Sequence, residues 1–149
     1  MSDSDLIQLY SKRILALAAD VPLTKPLDAP MGSAKKRSPL CGSTVSVSLS
    51  VDDGRIDGFS QDVKACALGQ ASAAVLGGAV EGKTRLEIAE GREALRAMLK
   101  DGTPPPDAPW DGLEVLEPAK DYKNRHASIL LAWDATLAAL EEAEARQAG

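Results

Sequence analysis

Aromatic side chains are scarce in this sequence: two Trp, two Tyr and one Phe, 3% of the residues. A core without aromatic bulk must be built from Leu, Ile, Val and Ala, so its backbones must approach closely. Cysteine and histidine are scarcer still, and Cys41, Cys66 and His126 are the complete set of soft or imidazole ligands. Two cysteines do not make a disulfide framework, and a reducing cytosol would keep both as thiols. No apolar stretch approaches the roughly 18 residues of a membrane span. The N-terminus opens on acidic residues rather than a basic lead into an apolar segment, so no secretory signal is expected. Basic charge is in deficit, with 17 Lys and Arg against 22 Asp and Glu, a formal net charge of -5. That balance argues against non-specific nucleic-acid binding, which needs a basic face. The expectation is an acidic cytoplasmic protein whose 149 residues form one domain, 1–149, long enough to bury a core.

What the chain has instead is a run of small residues. Residues 63–76 read VKACALGQASAAVL, a helix that offers little bulk and lets another backbone come near. Cys66 stands near its start, where unpaired N–H groups and the positive dipole end favour a thiolate able to attack sulfur or ligate a metal. The same residue packs equally well as a small buried hydrophobe.

Upstream, Leu6, Leu9, Tyr10, Arg13, Ile14 and Leu17 recur at helical spacing and predict a helix ending near Asp20. Pro22, Pro26 and Pro30 break any regular structure beyond it, and Lys35, Lys36 and Arg37 read as a solvated basic segment. TVSVSLSV at 44–51 alternates Val and Leu with small polar residues, the period of a half-buried strand. Asp52-Asp53-Gly54 signals a tight turn, 55–63 the returning strand, and Gly58 a bulge. An antiparallel pair returns the chain to where it began, so Cys41 before the hairpin and Cys66 after it come to one end of the sheet. Gly77, Gly78 and Gly82 are expected to close the small-residue helix. Thr84 and Glu87 have capping-box spacing ahead of a helix carrying Ile88, Leu95 and Leu99. The prolines of 102–109 end that helix, 110–118 reads as irregular or briefly extended, and a last helix begins between Asp121 and Arg125. The order predicts an α+β fold: a small antiparallel, hairpin-centred sheet with helices packed on one face.

Cys41, Cys66 and His126 suit zinc or an iron–sulfur unit in ligand type, though none falls in a short C-x-x-C pair. SPLCGS, the hairpin, ACALGQASAAVLGGAVEGKT and RHASILLAWDATLAAL together resemble the IscU/SufU iron–sulfur cluster assembly scaffold family, the NifU N-terminal-like or SufE/NifU-like fold. The resemblance runs from about Leu9 to about Leu140. It implies a scaffold rather than an enzyme: a cluster, or in some members zinc, held by three cysteines and an aspartate. It also implies sulfur received from a cysteine desulfurase and passed to recipient apo-proteins.

This chain departs from that pattern. The family's aspartate two residues after the first cysteine is Ser43 here, and the third cysteine is absent. Aligned without gaps, that cysteine falls on Ser128; shifted by two residues, its neighbouring histidine is kept as His126; in a third register His126 replaces the cysteine itself. The ligand set implied is Cys41, Cys66 and His126, with Ser43 and Ser128 as weaker candidates and Cys66 as the sulfur acceptor. The segment that recruits a chaperone in some relatives is missing, the chain reading EPAKDY at 117–122. Two other readings stand beside it: a scaffold fold that has lost cluster chemistry and serves as a partner module, and a thiol enzyme with Cys66 as nucleophile and His126 as base.

Overall fold

The computed structural model describes residues 11–39 and 42–148, with backbone alone at 147 and 148. Cys41 lies outside the described residues, as do Leu6, Leu9 and Tyr10, on which the expectation of an N-terminal helix partly rests. The described elements are α1 (Lys12–Ala19), β1 (Gly32–Arg37), β2 (Thr44–Asp52), β3 (Arg55–Lys64), α2 (Ala67–Ala79), α3 (Arg85–Lys100) and α4 (His126–Ala148). Two 3-10 segments, Asp111–Asp121 and Lys123–Arg125, lead into α4. This is the α+β architecture that the alternation and the helical stripes predict.

The sheet has three antiparallel strands in the order β1-β2-β3. The expected hairpin closes through Asp53 and Gly54, both at positive φ (53° and 75°), the geometry its Asp-Gly turn favours. The register shifts between Ser50 and Val51, so that Asp57 is the extra residue beside Gly58, where a bulge was expected. The third strand was not expected: β1 contains the Lys35-Lys36-Arg37 triplet, whose charges suggest a solvated segment, and pairs with β2 over its whole length. A strand at the sheet's edge with exposed lysines lacks the apolar alternation by which strands announce themselves.

Val45, Val47, Leu49 and Val51 are buried on one face of β2, and α4 lies across that face. The fit depends on small residues. A Cβ at Gly32 would collide with the Ala139 carbonyl and the Ala143 backbone of α4, so β1 and α4 touch almost backbone to backbone. α2 and α3 pack chiefly on α4, with α2 also touching β3 where the Gln61 amide donates to the Ala73 carbonyl, and α1 packs on α2. Trp133 of α4, fully buried, meets Trp110 edge to face with centroids 4.9 Å apart. The two tryptophans thus meet where α3 and the segment preceding Asp111 join α4.

Two boundaries differ from expectation. Gly77 and Gly78 lie within α2, which runs on to Ala79; Gly77 allows the Gln61 amide and Pro22 close to the helix. Residues 111–121 form a 3-10 helix with Leu113, Val115, Leu116 and Ala119 buried. Its i,i+3 spacing is easily lost against Pro118 and the prolines just before it.

Glu81-Gly82-Lys83-Thr84 is fixed at the far end of the hairpin. Gly82 N–H donates to the Ile56 carbonyl (2.7 Å) and Ile56 N–H to that of Lys83 (3.0 Å). Thr84 then caps α3 through a reciprocal box with Glu87. That segment builds the fold and sits at the opposite end of β3 from Cys66.

Candidate functional site

Arg37, Thr44 and Lys64 form one row across the three strands, at the end of the sheet where β2 begins and β3 stops. Ser43 immediately precedes that row and Cys66 comes two residues after it, so the hairpin brings the segment after Cys41 and the segment before Cys66 to the same end. The 38–43 loop is closed by backbone bonds, Ser38 N–H to Ser43 carbonyl at 2.8 Å and Gly42 N–H to Ser38 carbonyl at 3.0 Å. Gly42 takes the left-handed conformation this turn needs (φ 72°).

Cys66 is the N-cap of α2, with extended backbone and no side-chain capping bond. Its thiol is half-buried and free. α4 approaches it through Ser128, whose Oγ lies 3.7 Å from Cys66 Sγ and 3.1 Å from Ser43 Oγ. Ser43 and Ser128 are buried, at 5% and 1% exposure. The close approach requires Gly69: a Cβ there would stand 2.8 Å from Ser128 Oγ. Further along the same helix pair, Trp133 Nε1–H donates to Ser72 Oγ (3.0 Å), and Ser72 Oγ–H donates to the Ile129 carbonyl (2.7 Å). Those bonds set the register of α4 against α2 and so hold Ser128 in front of Cys66.

His126 takes another direction. Successive helix residues are about 100° apart, so positions 126 and 128 project to nearly opposite sides. With Ser128 against Cys66, the His126 ring lies buried beside the 3-10 segment, where Nε2–H donates to the Ala119 carbonyl at 2.9 Å. Its Nδ1 has no hydrogen-bond partner among the described residues. Among those residues Cys66 and His126 share no hydrogen bond, the contact a thiol enzyme with that base would use. Nor, among them, do three His, Cys, Asp or Glu side chains gather in a way that could hold a metal ion. A cavity of about 600 Å³ on the outer sheet face, lined by Ser46, Ser48, Ser60 and Asp62 among others, does not reach Cys66 or Ser128.

The structure therefore brings together Cys66, Ser43 and Ser128, and places His126 against Ala119. Gly69, three residues after Cys66, is one of the small residues of 63–76 expected to let another backbone come near, and the one it admits is α4 at Ser128.

No family model and no curated protein matches the sequence. Solved structures do. An N-terminal NifU-like protein from Brucella abortus is 40% identical, with a TM-score of 0.91 over 95% of this chain and 98% of that one. A putative iron–sulfur cluster assembly scaffold protein of the SUF system from Fervidobacterium islandicum AW-1 shares the fold at 22% identity, with a TM-score of 0.80 over 90% of this chain and 98% of that one. A hypothetical protein matches at 21% identity and a TM-score of 0.80, over 91% of this chain and 98% of that one. With near-complete coverage in both directions and 40% identity to the first of these, the chain belongs to the NifU-like N-terminal family.

Proposed function

We propose that this protein takes part in iron–sulfur cluster assembly as a divergent scaffold that receives sulfur on Cys66. The observation that carries the reading is the half-buried thiol at the N-cap of α2, which has no capping bond and a hydroxyl, Ser128 Oγ, as its neighbour. A thiolate there attacks the terminal sulfur of a donor persulfide. The new S–S bond forms on Cys66 as the donor's S–S bond breaks, the donor cysteine leaves as thiolate, and no net oxidation occurs. The donor class is a cysteine desulfurase, and the cluster, once formed, is cargo for recipient apo-proteins.

Cys41 supplies the second thiolate in this proposal, since Ser43, two residues on, bonds to the same Ser128 hydroxyl that neighbours Cys66. Where relatives have an aspartate and a third cysteine, this chain puts Ser43 and Ser128. Neutral hydroxyls are weak ligands for iron, and a cluster usually wants four strong ones, so the cargo is held loosely. Zinc requires about three protein ligands; His126 would supply the third only if its ring, held beside Ala119, came round to the side of α4 on which Ser128 meets Cys66. Resident zinc accordingly fits this donor set less well than transient sulfur or cluster.

The Ser43–Ser128 hydrogen bond also favours a second reading, in which the ligand positions have closed on each other and the protein acts as a partner module without cluster chemistry. Anaerobic incubation with ferrous iron, cysteine and a cysteine desulfurase separates the two. The scaffold reading predicts a visible iron–sulfur chromophore that forms on the wild type, bleaches readily with a chelator and is lost in Cys66→Ser. A protein that stays colourless and free of added sulfur is a partner module.

A further inference from the structure

Charge is distributed unevenly over this acidic chain. Arg13, Arg55, Arg85, Arg92, Arg96 and Arg146 each ion-pair with a carboxylate. Among the described residues Arg37 and Arg125 do not, and both stand at the Cys66 end. Arg37 shares a row with Thr44 and Lys64, and directly opposed residues of a sheet share a face. Arg125 lies one turn before Ser128, and exposed Lys123 is beside it. Lys35, two rows along and on the same face, is opposed across Ser46 by Asp62, the acidic residue of the strands nearest the row on that face. The other end of the hairpin carries Asp52 and Asp53. At the Cys66 end Ser43, bonded to the same Ser128 hydroxyl that neighbours the thiol, adds no charge.

Exposed lysines on an edge strand also guard against unwanted strand pairing. That role suits Lys35 and Lys36 on β1 and extends to Arg37 and Lys64, since β1 and β3 are both edge strands, but it does not reach Arg125 and Lys123 ahead of α4. We infer that Arg37, Lys64, Lys123 and Arg125 form a docking rim around Cys66 for a protein partner whose sulfur-delivering face is acidic. The rim steers a negative surface toward the thiol and repels like-charged copies of the same end, while the remaining excess of Asp and Glu keeps the rest of the molecule from competing. Rim charges act mainly on association rate and salt dependence, so the complex is fast-forming and weakened by salt.

The inference rests on the proposed role of Cys66 as sulfur acceptor, and the test keeps the two apart. The probes are the cysteine desulfurase of the source organism, measured for binding and for persulfide delivery, and low-molecular-weight cysteine persulfide, which loads a thiol without docking. Arg37→Glu/Lys64→Glu/Arg125→Glu should bind the desulfurase about tenfold or more weakly, chiefly through slower association. The neutral Arg37→Gln/Lys64→Gln/Arg125→Gln variant should fall between, and sodium chloride should weaken the wild type more steeply than either. Reversal of Lys83, near the far end of the hairpin, should change nothing. Loading of Cys66 by cysteine persulfide should be the same in all. Binding unchanged by both triple variants, or a wild type that does not bind the desulfurase, overturns the rim. Binding lost on reversal while neither donor loads the wild type upholds the rim and overturns the acceptor reading.

Discussion

Ser128 is the residue at which the chemistry of this site separates from its stability. Its hydroxyl touches Ser43 and Cys66 at once, so a thiol in its place would stand beside the Cys66 sulfur. Ser43→Asp/Ser128→Cys should therefore retain an iron–sulfur chromophore through desalting after anaerobic reconstitution, where the wild type loses it; equal iron in the two would contradict the weak-ligand account. Gly69→Ala tests the same contact from α2. Its methyl would enter the space of Ser128 Oγ, and overpacking of this kind costs about 1–3 kcal/mol, measurable by urea unfolding. At this scale the sequence revealed both cysteines and both serines but left the third partner open between His126 and Ser128. One histidine two residues from one serine cannot be assigned a face without the rotation of α4, and that rotation is set by remote packing: Ser72 against Trp133 and Gly69 against Ser128.

Elements announced themselves where periodicity and capping agree. Thr84 and Glu87 form the expected capping box, and Glu87 is held below its ordinary 4.5, first by the Thr84 backbone N–H and then by its hydroxyl, Lys83 and Arg55. Thr84→Ala should cost about 1 kcal/mol. A carboxylate with a lowered folded value stabilises above its unfolded value and stops doing so as pH falls through the folded one. The gap between wild type and variant should thus narrow as the pH drops below 4.5 without closing, because the Glu87 N–H bond to Thr84 Oγ does not titrate. A series of thermal melts at descending pH checks this. β1 and the 3-10 helix at 111–121 stayed hidden for a common reason. The first buries Gly32 and exposes its lysines, and the second packs four apolar side chains at a spacing that matches neither strand nor α-helix. Each is held by α4 or α3 rather than by its own pattern.

At the scale of the whole molecule, the shortage of aromatics concentrates stability in α4 and its neighbours. Trp133 is fully buried, stacked edge-on to Trp110 and bonded to Ser72. Trp133→Ala should cost about 3–5 kcal/mol, seen as a lowered urea midpoint, and should loosen Ser128 from Cys66 because the same bond sets the register of α4. The fold class was legible from strand alternation and the helical stripes. The electrostatic asymmetry was not, because it depends on which end of the hairpin each charge reaches. The central claim is that this scaffold fold receives sulfur on Cys66, and mass-spectrometric mapping of persulfide tests it directly. Metal-free protein incubated with a cysteine desulfurase and cysteine should carry added sulfur on Cys66, retained in Cys41→Ser and lost in Cys66→Ser; sulfur on neither cysteine, or on Cys41 alone, would contradict it.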